Sequence, residues 1–243
     1  MKESTKYGFH LDKRGWFGIR DDDWLNHAHT ALVCIDMQNF VLKREWAQIG
    51  TTGTGTGTDS QKYFYERAER AAIPNTKKLL EYFRKQDLPV VHVALASRFN
   101  SLADLTPIWR LRFDQHAEDS GHPYSVVWGS RDSAIVEELS PLRDEPVVLK
   151  TTGSAFLSSN LDSILRFMNR RSFVACGAWM NSCVEDTIRC GVDLGYLVTL
   201  AEDCSIAPDQ QFHEACTRVL GSMYCQVKQS HEIIELLEKT KKK

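Results

Sequence analysis

Short apolar runs alternate with stretches of helical periodicity along most of this chain. The apolar runs lie at residues 31–36, 89–95, 146–150, 172–176, 196–201 and 222–227. Amphipathic stretches separate most of them, at about residues 61–85, 160–169, 182–194 and 210–220. Because the runs are continuous rather than alternating, each predicts a strand buried on both faces. The pattern predicts an α/β fold of three layers, a doubly wound sandwich in which a six-stranded, mainly parallel sheet of Rossmann type lies between helices.

The length and composition fit one large domain. With 243 residues, of which 42% are hydrophobic and 26% charged, the chain can bury a substantial core, which excludes a disordered protein. We predict a polar N-terminal arm at residues 1–30, one domain at residues 31–235 and a basic C-terminal tail at residues 236–243. The lysines of that tail are expected to be solvated rather than to bind a partner.

The charge balance narrows the choice of partners. Thirty Lys and Arg residues against 32 Asp and Glu residues leave a net charge of −2, which argues against nucleic acid or an anionic membrane as a partner. The sequence has neither the apolar region of a signal peptide nor 18 consecutive apolar residues. We therefore expect a cytoplasmic protein.

The seven cysteines raise the question of which thiols carry chemistry. Their number is odd and no C-x-x-C pair occurs, so we predict reduced thiols rather than a disulfide framework or a zinc ribbon. Ligands of a doubly wound sheet bind beyond the carboxyl ends of its strands. The reactive residues at those ends are Asp36, Lys150 and Cys183, with Cys204 as a weaker candidate. The other cysteines fall inside predicted strands or helices and are expected to be buried packing residues: Cys34, Cys176, Cys190, Cys216 and Cys225.

Cys183 is placed to act as a nucleophile. It falls in the first turn of a predicted helix, where free backbone N–H groups and the helix dipole lower the pKa of a thiol. Asp36 is suited to accept the thiol proton, and Lys150 to hold Asp36 ionised. The turn at residues 176–182 contains a glycine and offers backbone N–H groups to a carbonyl oxygen. Taken singly, each residue also fits a structural role, as a turn residue, a surface lysine or a buried thiol.

The segment TTGTGTGT at residues 51–58 lies between the first predicted strand and its helix. It fits a flexible surface linker and an active-site lid with glycine hinges equally well. It lacks the lysine and hydroxyl of a phosphate-binding loop, and no G-x-G-x-x-G motif lies at a strand-to-helix turn. We therefore predict neither a nucleotide nor any other cofactor.

Three segments together resemble the signature blocks of the isochorismatase-like cysteine hydrolases. They are ALVCIDMQNF, KTTGSAFLSSNLDSIL and CGAWMNSCVEDTIRCGVDLGYLVTLAEDC. The aspartate-x-glutamine of the first block is Asp36 and Gln38, the lysine that opens the second is Lys150, and the nucleophile of the third is Cys183. The likeness covers residues 30–227 and leaves the predicted arm and tail outside it.

The resemblance implies hydrolysis of a C–N amide bond in a small carbamoyl or ureido compound, with release of ammonia. Cys183 is expected to form a covalent acyl-enzyme, with Asp36 as general base and then acid and Lys150 completing a catalytic triad. The backbone N–H groups of Trp179 and Cys183 are expected to form the oxyanion hole, beside a cis peptide bond between Ala178 and Trp179. The family also implies a homo-oligomer, either a dimer or a tetramer.

Differences within the family favour the ureidoacrylate and biuret hydrolases, which the segment SNLDSILR resembles in particular. True isochorismatases cleave a vinyl ether without a nucleophilic thiol, so a cysteine at position 183 speaks against them. Nicotinamidases carry an aspartate-x-histidine metal site after the second strand. Here His92 lies inside the predicted strand and is expected to be a core residue, so we predict no metal.

The candidate substrate-binding residues are the neighbours of the triad in sequence. They are Gln38, Phe40, Phe156, Trp179 and Met180. Trp179 and Met180 stand where family members usually carry small residues, and this departure leaves the substrate open. For Phe40 and Phe156, packing in the core is an equal alternative.

Three other functions remain as alternatives at this stage. The chain fits an idle isochorismatase-like scaffold for ligand binding or oligomerisation, in which Trp179 and Met180 fill the old pocket. It also fits a nicotinamidase-like amidase. A redox function of the thiols is weaker, because no C-x-x-C motif or evident resolving cysteine is present.

Overall fold

A single sheet of six parallel strands forms the centre of the computed structural model, which describes residues 19–44, 58–120 and 125–241. The strands are β1 (Thr30–Ile35), β2 (Val90–Leu95), β3 (Val147–Lys150), β4 (Ser172–Ala178), β5 (Leu197–Ile206) and β6 (Gln226–Lys228). Their order across the sheet is β3-β2-β1-β4-β5-β6, and every neighbouring pair is parallel. The strand order therefore reverses between β1 and β4, where doubly wound folds bind their ligands. The predicted fold class is confirmed.

Helices cover both faces of the sheet. They are α1 (Asp21–Trp24), α2 (Asn39–Leu42), α3 (Thr58–Arg67), α4 (Ile73–Lys85), α5 (Pro107–Ser120), α6 (Ala155–Ser158), α7 (Leu161–Phe167), α8 (Glu185–Asp193), α9 (Gln210–Met223) and α10 (Ser230–Lys241). A π-helical turn, Ala68–Ala72, joins α3 to α4, and a second one, Met180–Val184, precedes α8. Helices α3, α4 and α10 contribute to the core on one face, and α7, α8 and α9 to the core on the other.

The central strands are buried on both faces, as their continuous apolar sequences predict. In β1, the side chains of Leu32 and Cys34 join the core under α4, whereas Ala31, Val33 and Ile35 join the core under α8. All six residues of this strand are buried. Such double burial removes the surface-facing polar positions that a half-exposed strand would need. It also leaves the carboxyl ends of the strands as the place where polar side chains reach an open edge.

Three details of the predicted elements are wrong. The apolar run at residues 222–227 is not one strand, because Ser222 and Met223 end α9 and β6 begins only at Gln226. Strand β5 continues to Ile206, so Cys204 lies inside a strand, fully buried, rather than at a strand end. Cys190 is only half-buried, whereas the other cysteines assigned to packing are buried as expected. The sequence reasoning also did not find α5 and α10.

The described parts of the predicted arm and tail pack against the domain. Trp24 is buried beside α10, and the backbone N–H of His27 donates to Thr240 Oγ1 at 3.0 Å. Helix α10 runs through the predicted boundary at residue 236, with Leu237 buried against the sheet. Residues 236–241 are therefore not a free tail. Residues 1–18, 242 and 243 and most of the threonine–glycine segment, residues 51–57, lie outside the described residues.

Candidate active site

The structure brings Asp36, Lys150 and Cys183 together at the carboxyl edge of the sheet. Asp36 directly follows β1, Lys150 is the last residue of β3, and Cys183 lies in the π-helical turn after β4. The strand between β1 and β3 is β2, whose end residue Leu95 pairs in register with Lys150. All three side chains are at least 98% buried.

Lys150 connects the other two members of the group. Its ammonium nitrogen Nζ lies 2.8 Å from Asp36 Oδ2 and 3.1 Å from Cys183 Sγ. The third contact is to the backbone oxygen of Thr152, at 3.0 Å. An ammonium group has three hydrogens, and each of these acceptors takes one. A charged lysine is therefore accommodated here without an unsatisfied donor, although it is fully buried.

Burial and mutual charge decide the protonation of the group. Burial raises the pKa of Asp36, because Lys150 only partly offsets the loss of solvation. Burial tends to lower the pKa of Lys150, but the nearby Asp36 and Cys183 outweigh this effect and raise it. Burial also raises the pKa of the Cys183 thiol to about 12, and the Asp36 carboxylate adds to this while Lys150 opposes it. The expectation of a lowered thiol pKa is therefore wrong for the resting protein, which holds a neutral thiol beside an Asp–Lys ion pair.

The turn between β4 and Cys183 has an unusual backbone. The peptide bond between Ala178 and Trp179 is cis, as the family resemblance implies. Gly177, one residue earlier, has φ of +129°, and a Cβ atom there would lie 1.9 Å from the backbone oxygen of Ile35 in the neighbouring strand. Only glycine meets both conditions. The backbone oxygen of Trp179 then accepts from Ser182 and Val184, which closes the turn that carries Cys183.

Gln38 holds the Asp36 segment against the sheet. Its Nε2 donates to the backbone oxygens of Leu95 and Ser133 at 3.1 and 2.7 Å, and its Oε1 accepts from Leu95 N at 2.8 Å. Both amide hydrogens are thus used within the protein, and the side chain is fully buried. The amide pairs with the backbone of Leu95 at the end of β2, as a continuation of β1 would. The expected contact of Gln38 with substrate stays a prediction.

A model of the isochorismatase domain matches residues 30–232. This chain belongs to the isochorismatase family. The ureidoacrylate amidohydrolase RutB of Rhizobium rhizogenes is 39% identical to it over 209 residues, 76% of this chain and 74% of that protein. A cysteine hydrolase from Pseudomonas syringae shares the fold with a TM-score of 0.70 at 21% identity, covering 89% of this chain and 96% of that one. N-carbamoylsarcosine amidase from Thermoplasma acidophilum has a TM-score of 0.59 at 25% identity, covering 83% and 96% respectively.

Membership of the isochorismatase family confirms the resemblance inferred from the three signature segments, and with it the expectation of a hydrolase. Among the residues that the structure describes, no group of three or more His, Cys, Asp or Glu side chains is arranged to hold a metal ion. His92 is buried in β2 as a core residue, as predicted, and its Nε2 lies 2.9 Å from Glu145 Oε2. Its Nδ1 has no hydrogen-bond partner within the described residues. None of the helices in the described ranges is long and apolar enough to cross a membrane.

The large side chains expected to contact substrate near Asp36, Lys150 and Cys183 lie in different parts of this isochorismatase-family protein. Phe156 is partly buried and packs against the core under α8, with its ring stacked on Tyr196 at a centroid distance of 5.7 Å, which agrees with the core-packing alternative. Met180 is likewise fully buried in that core. Phe40 belongs to the opposite core and meets Phe113 of α5 edge to face at 6.1 Å. Trp179 is only partly buried and reaches α3.

Phe64 of α3 is the neighbour of the site that sequence reasoning missed. Its ring stacks on the indole of Trp179 at a centroid distance of 4.4 Å and an interplanar angle of 24°. Phe64 is 115 residues from Trp179 along the chain, and it lies on a helix, not at a strand end, so neither motif nor topology singled it out. The only available signal was that a tryptophan at position 179, where the family resemblance implies a small residue, needs a partner surface.

Proposed function

We propose that this isochorismatase-family protein hydrolyses the C–N amide bond of a small carbamoyl or ureido compound through Cys183, with release of ammonia. One observation carries the proposal: the Lys150 ammonium contacts both Asp36 and Cys183, at 2.8 and 3.1 Å. A nucleophile, a proton acceptor and a fixed positive charge thus meet at the edge of the sheet where ligands bind. The names of two relatives support the substrate class, since one specifies a ureido compound and the other a carbamoyl compound.

The first half of the reaction begins with transfer of the Cys183 proton to Asp36. Before the transfer Lys150 faces a carboxylate, and afterwards it faces a thiolate, so the net charge of the buried group does not change. The thiol can therefore lose its proton despite its high pKa in the resting protein, because the thiolate forms beside the Lys150 ammonium and no unpaired buried charge is created. The thiolate then bonds to the carbonyl carbon, and the backbone N–H groups of Trp179 and Cys183 receive the oxyanion.

Collapse of the tetrahedral intermediate breaks the C–N bond. Asp36 passes its proton to the leaving nitrogen, ammonia departs, and the acyl group stays on Cys183 as a thioester or thiocarbamate. Asp36 is then an ionised base again and takes a proton from water, whose hydroxide attacks the acyl carbon. The acid product leaves as the proton on Asp36 returns to the sulfur. Each proton taken is given back, so Asp36 and Cys183 end the cycle in the protonation states in which they began it.

The proposed activity is tested by measuring ammonia release from a panel of amides. The panel contains ureidoacrylate, biuret, carbamoyl amino acids, maleamate and nicotinamide, and the wild-type protein is compared with Cys183→Ala. We expect at least one carbamoyl or ureido compound to be hydrolysed, and the variant to lose at least about 10³-fold in kcat. Cys190→Ala is the matched control, because that half-buried thiol lies on α8 away from the triad.

Each other outcome points to a different conclusion. Equal turnover by Cys183→Ala would overturn the assignment of the nucleophile. Hydrolysis of nicotinamide alone would favour the nicotinamidase-like alternative. The idle scaffold would be favoured if no compound is hydrolysed but calorimetry shows that the protein binds a member of the panel.

A further inference from the structure

The stack of Phe64 on Trp179 links helix α3 to the residue that directly precedes the turn carrying Cys183. The two ring planes are 24° apart with centroids at 4.4 Å, a separation at which aromatic rings attract each other beyond simple burial. Phe64 itself is 2% exposed and also meets Tyr65 edge to face at 5.2 Å. Its ring is therefore held from two sides, and the indole of Trp179 rests on a fixed surface.

Helix α3 is anchored to the same end of the sheet by Arg67, one turn beyond Phe64. The guanidinium donates from Nε to the backbone oxygen of Ser205 at 2.9 Å, and from Nη2 to the backbone oxygen of Glu202 at 2.9 Å. It also pairs with the Glu202 carboxylate at 2.7 Å. Ser205 is the register partner of Gly177, two residues before Trp179. Residues three apart lie on the same side of a helix. Phe64 therefore contacts Trp179, directly after β4, from the same side of α3 from which Arg67 binds the end of β5.

Trp179 is the residue at which the chain passes from β4 to the turn that carries Cys183. Its side chain joins the core under α4, whereas the following residues, Met180 and Cys183, join the core under α8. The indole is thus the anchor on one side of this peptide, and the π-helical turn is the anchor on the other. A change in the indole position tilts the peptide group whose N–H is assigned to the oxyanion.

We propose that Phe64 is a positioning residue for catalysis, which fixes the Trp179 peptide group in the oxyanion hole by stacking on the Trp179 side chain. The expected effect of Phe64 on kcat rests on the proposed function, whereas its effect on the position of the Trp179 peptide group does not. Phe64 does not touch the reacting atoms in this scheme. Its loss lowers kcat because a donor displaced by a fraction of an ångström stabilises the transition state less, while ground-state binding of substrate changes little.

The test is a double-mutant cycle between Phe64→Leu and Trp179→Ala, with Phe64→Tyr as the conservative variant that keeps the stack. We expect Phe64→Leu to lower kcat at least tenfold with KM changed less than threefold, and Phe64→Tyr to retain most of the activity. In the Trp179→Ala background, Phe64→Leu should cause no further loss. Phe83→Leu is the matched control, since Phe83 is equally buried in the same core but its ring lies against Tyr82.

Hydrogen exchange of the segment at residues 172–184, followed by mass spectrometry, gives a readout that needs no substrate. We expect exchange in this segment to accelerate in Phe64→Leu and to stay at the wild-type rate in Phe83→Leu. Unchanged exchange, equal effects of the two variants, or a full additional loss in the Trp179→Ala background would overturn the inference. Absence of wild-type turnover on every amide, with accelerated exchange in Phe64→Leu, would refute the proposed activity and leave the positioning contact standing.

Discussion

The ammonium of Lys150 donates to the sulfur of Cys183 at 3.1 Å, although the thiol is neutral in the resting protein. A cation so close to a thiol normally favours the thiolate, and Lys150 does lower the pKa of Cys183. Complete burial and the Asp36 carboxylate, which lies 2.8 Å from the same ammonium, have the opposite and larger effect. Asp36 therefore has two opposed influences, since it keeps the thiol protonated at rest and accepts its proton during the proposed reaction.

Asp36→Asn should separate thiol reactivity from hydrolysis. Removing the carboxylate leaves Lys150 facing the thiol alone, so the pKa of Cys183 falls. We expect alkylation of Cys183 by iodoacetamide to increase at least tenfold at neutral pH, measured by mass spectrometry of the peptide that contains it. Hydrolysis should fall at least about 10³-fold, because no base receives the proton.

Asp162→Asn is the control for that experiment. This aspartate lies on α7, partly exposed and paired with Arg166 at 2.9 Å, so the same chemical change there should leave both rates as they are. A pH midpoint for alkylation in Asp36→Asn that equals or exceeds the wild-type midpoint would contradict the opposed roles given to Asp36.

The sequence was sufficient to predict the fold and the meeting of Asp36, Lys150 and Cys183, because both depend on strand ends. Continuous apolar runs identify strands buried on both faces, and Asp36 and Lys150 stand where two of these runs stop. The run at residues 222–227 misled for the same reason, since apolar residues of a helix end and of a strand follow each other there without a polar break. Periodicity over so few residues does not distinguish the two.

The sequence was insufficient wherever the environment of a side chain decides its role. A position in the first turn of a helix predicts a lowered thiol pKa, but the opposite shift at Cys183 comes from burial and from a carboxylate 147 residues earlier in the chain. Motif spacing likewise placed Gln38 near the site without showing that Leu95 and Ser133 use its amide. Such contacts are set by tertiary packing, which no local pattern records.

Gln38→Leu should destabilise the protein as well as disturb the site. The substitution keeps the volume roughly similar but leaves the backbone N–H of Leu95 and the oxygens of Leu95 and Ser133 buried without their partner. Since each of these three unsatisfied buried groups costs about 1 to 3 kcal/mol, we expect the free energy of unfolding to fall by at least about 3 kcal/mol. Urea denaturation at pH 7 measures it.

Asn39→Leu is the companion variant, because the amide of this neighbouring residue donates to Arg131 O at 2.8 Å on the exposed side of the loop. Its loss should cost less than about 1 kcal/mol, since water replaces the contact. Equal destabilisation by the two variants would show that the buried position of Gln38 has no special weight.

Gly177→Ala should be much more harmful than an alanine at another glycine with positive φ. At Gly177 the new Cβ meets the backbone oxygen of Ile35 at 1.9 Å, so β1 and β4 have to separate next to Asp36. At Gly129, with φ of +93°, nothing lies within 4 Å, and only the cost of the backbone conformation remains. We expect about 1 kcal/mol for Gly129→Ala and at least about 3 kcal/mol, or failure to fold, for Gly177→Ala.

The urea midpoint and the hydrolytic rate of both variants check this expectation. Gly129→Ala should retain activity, whereas any folded Gly177→Ala protein should lose it, since Gly177 lies in the last part of β4, directly before the turn that carries Cys183. If the two variants are equally stable, β1 and β4 can move apart at Gly177 at a lower cost in free energy than their close contact indicates.

The lowered pKa of Glu145 leads to a prediction of how the stability of the folded protein depends on pH. Burial opposes ionisation of this carboxyl, but hydrogen bonds from Arg84 and His92, at 2.7 and 2.9 Å, hold its pKa well below the ordinary range. A carboxyl with a lowered pKa in the folded state stabilises that state above its unfolded pKa of about 4.3, and the stabilisation is lost as the pH falls below it. The effect is therefore present at pH 7 and shrinks in acid.

Glu145→Gln should be less stable than the wild type by about 2 to 3 kcal/mol at pH 7, because the buried His92 and the Arg84 guanidinium lose their anionic partner. Between pH 7 and pH 3.5 the difference should narrow by about 1 kcal/mol, as unfolded wild-type chains take up a proton at Glu145 that folded chains do not. Urea denaturation at several pH values measures both quantities. Glu137→Gln, at an exposed glutamate before the same loop, should follow the wild-type curve. A gap for Glu145→Gln that widens in acid would show that the carboxyl is already protonated in the folded protein.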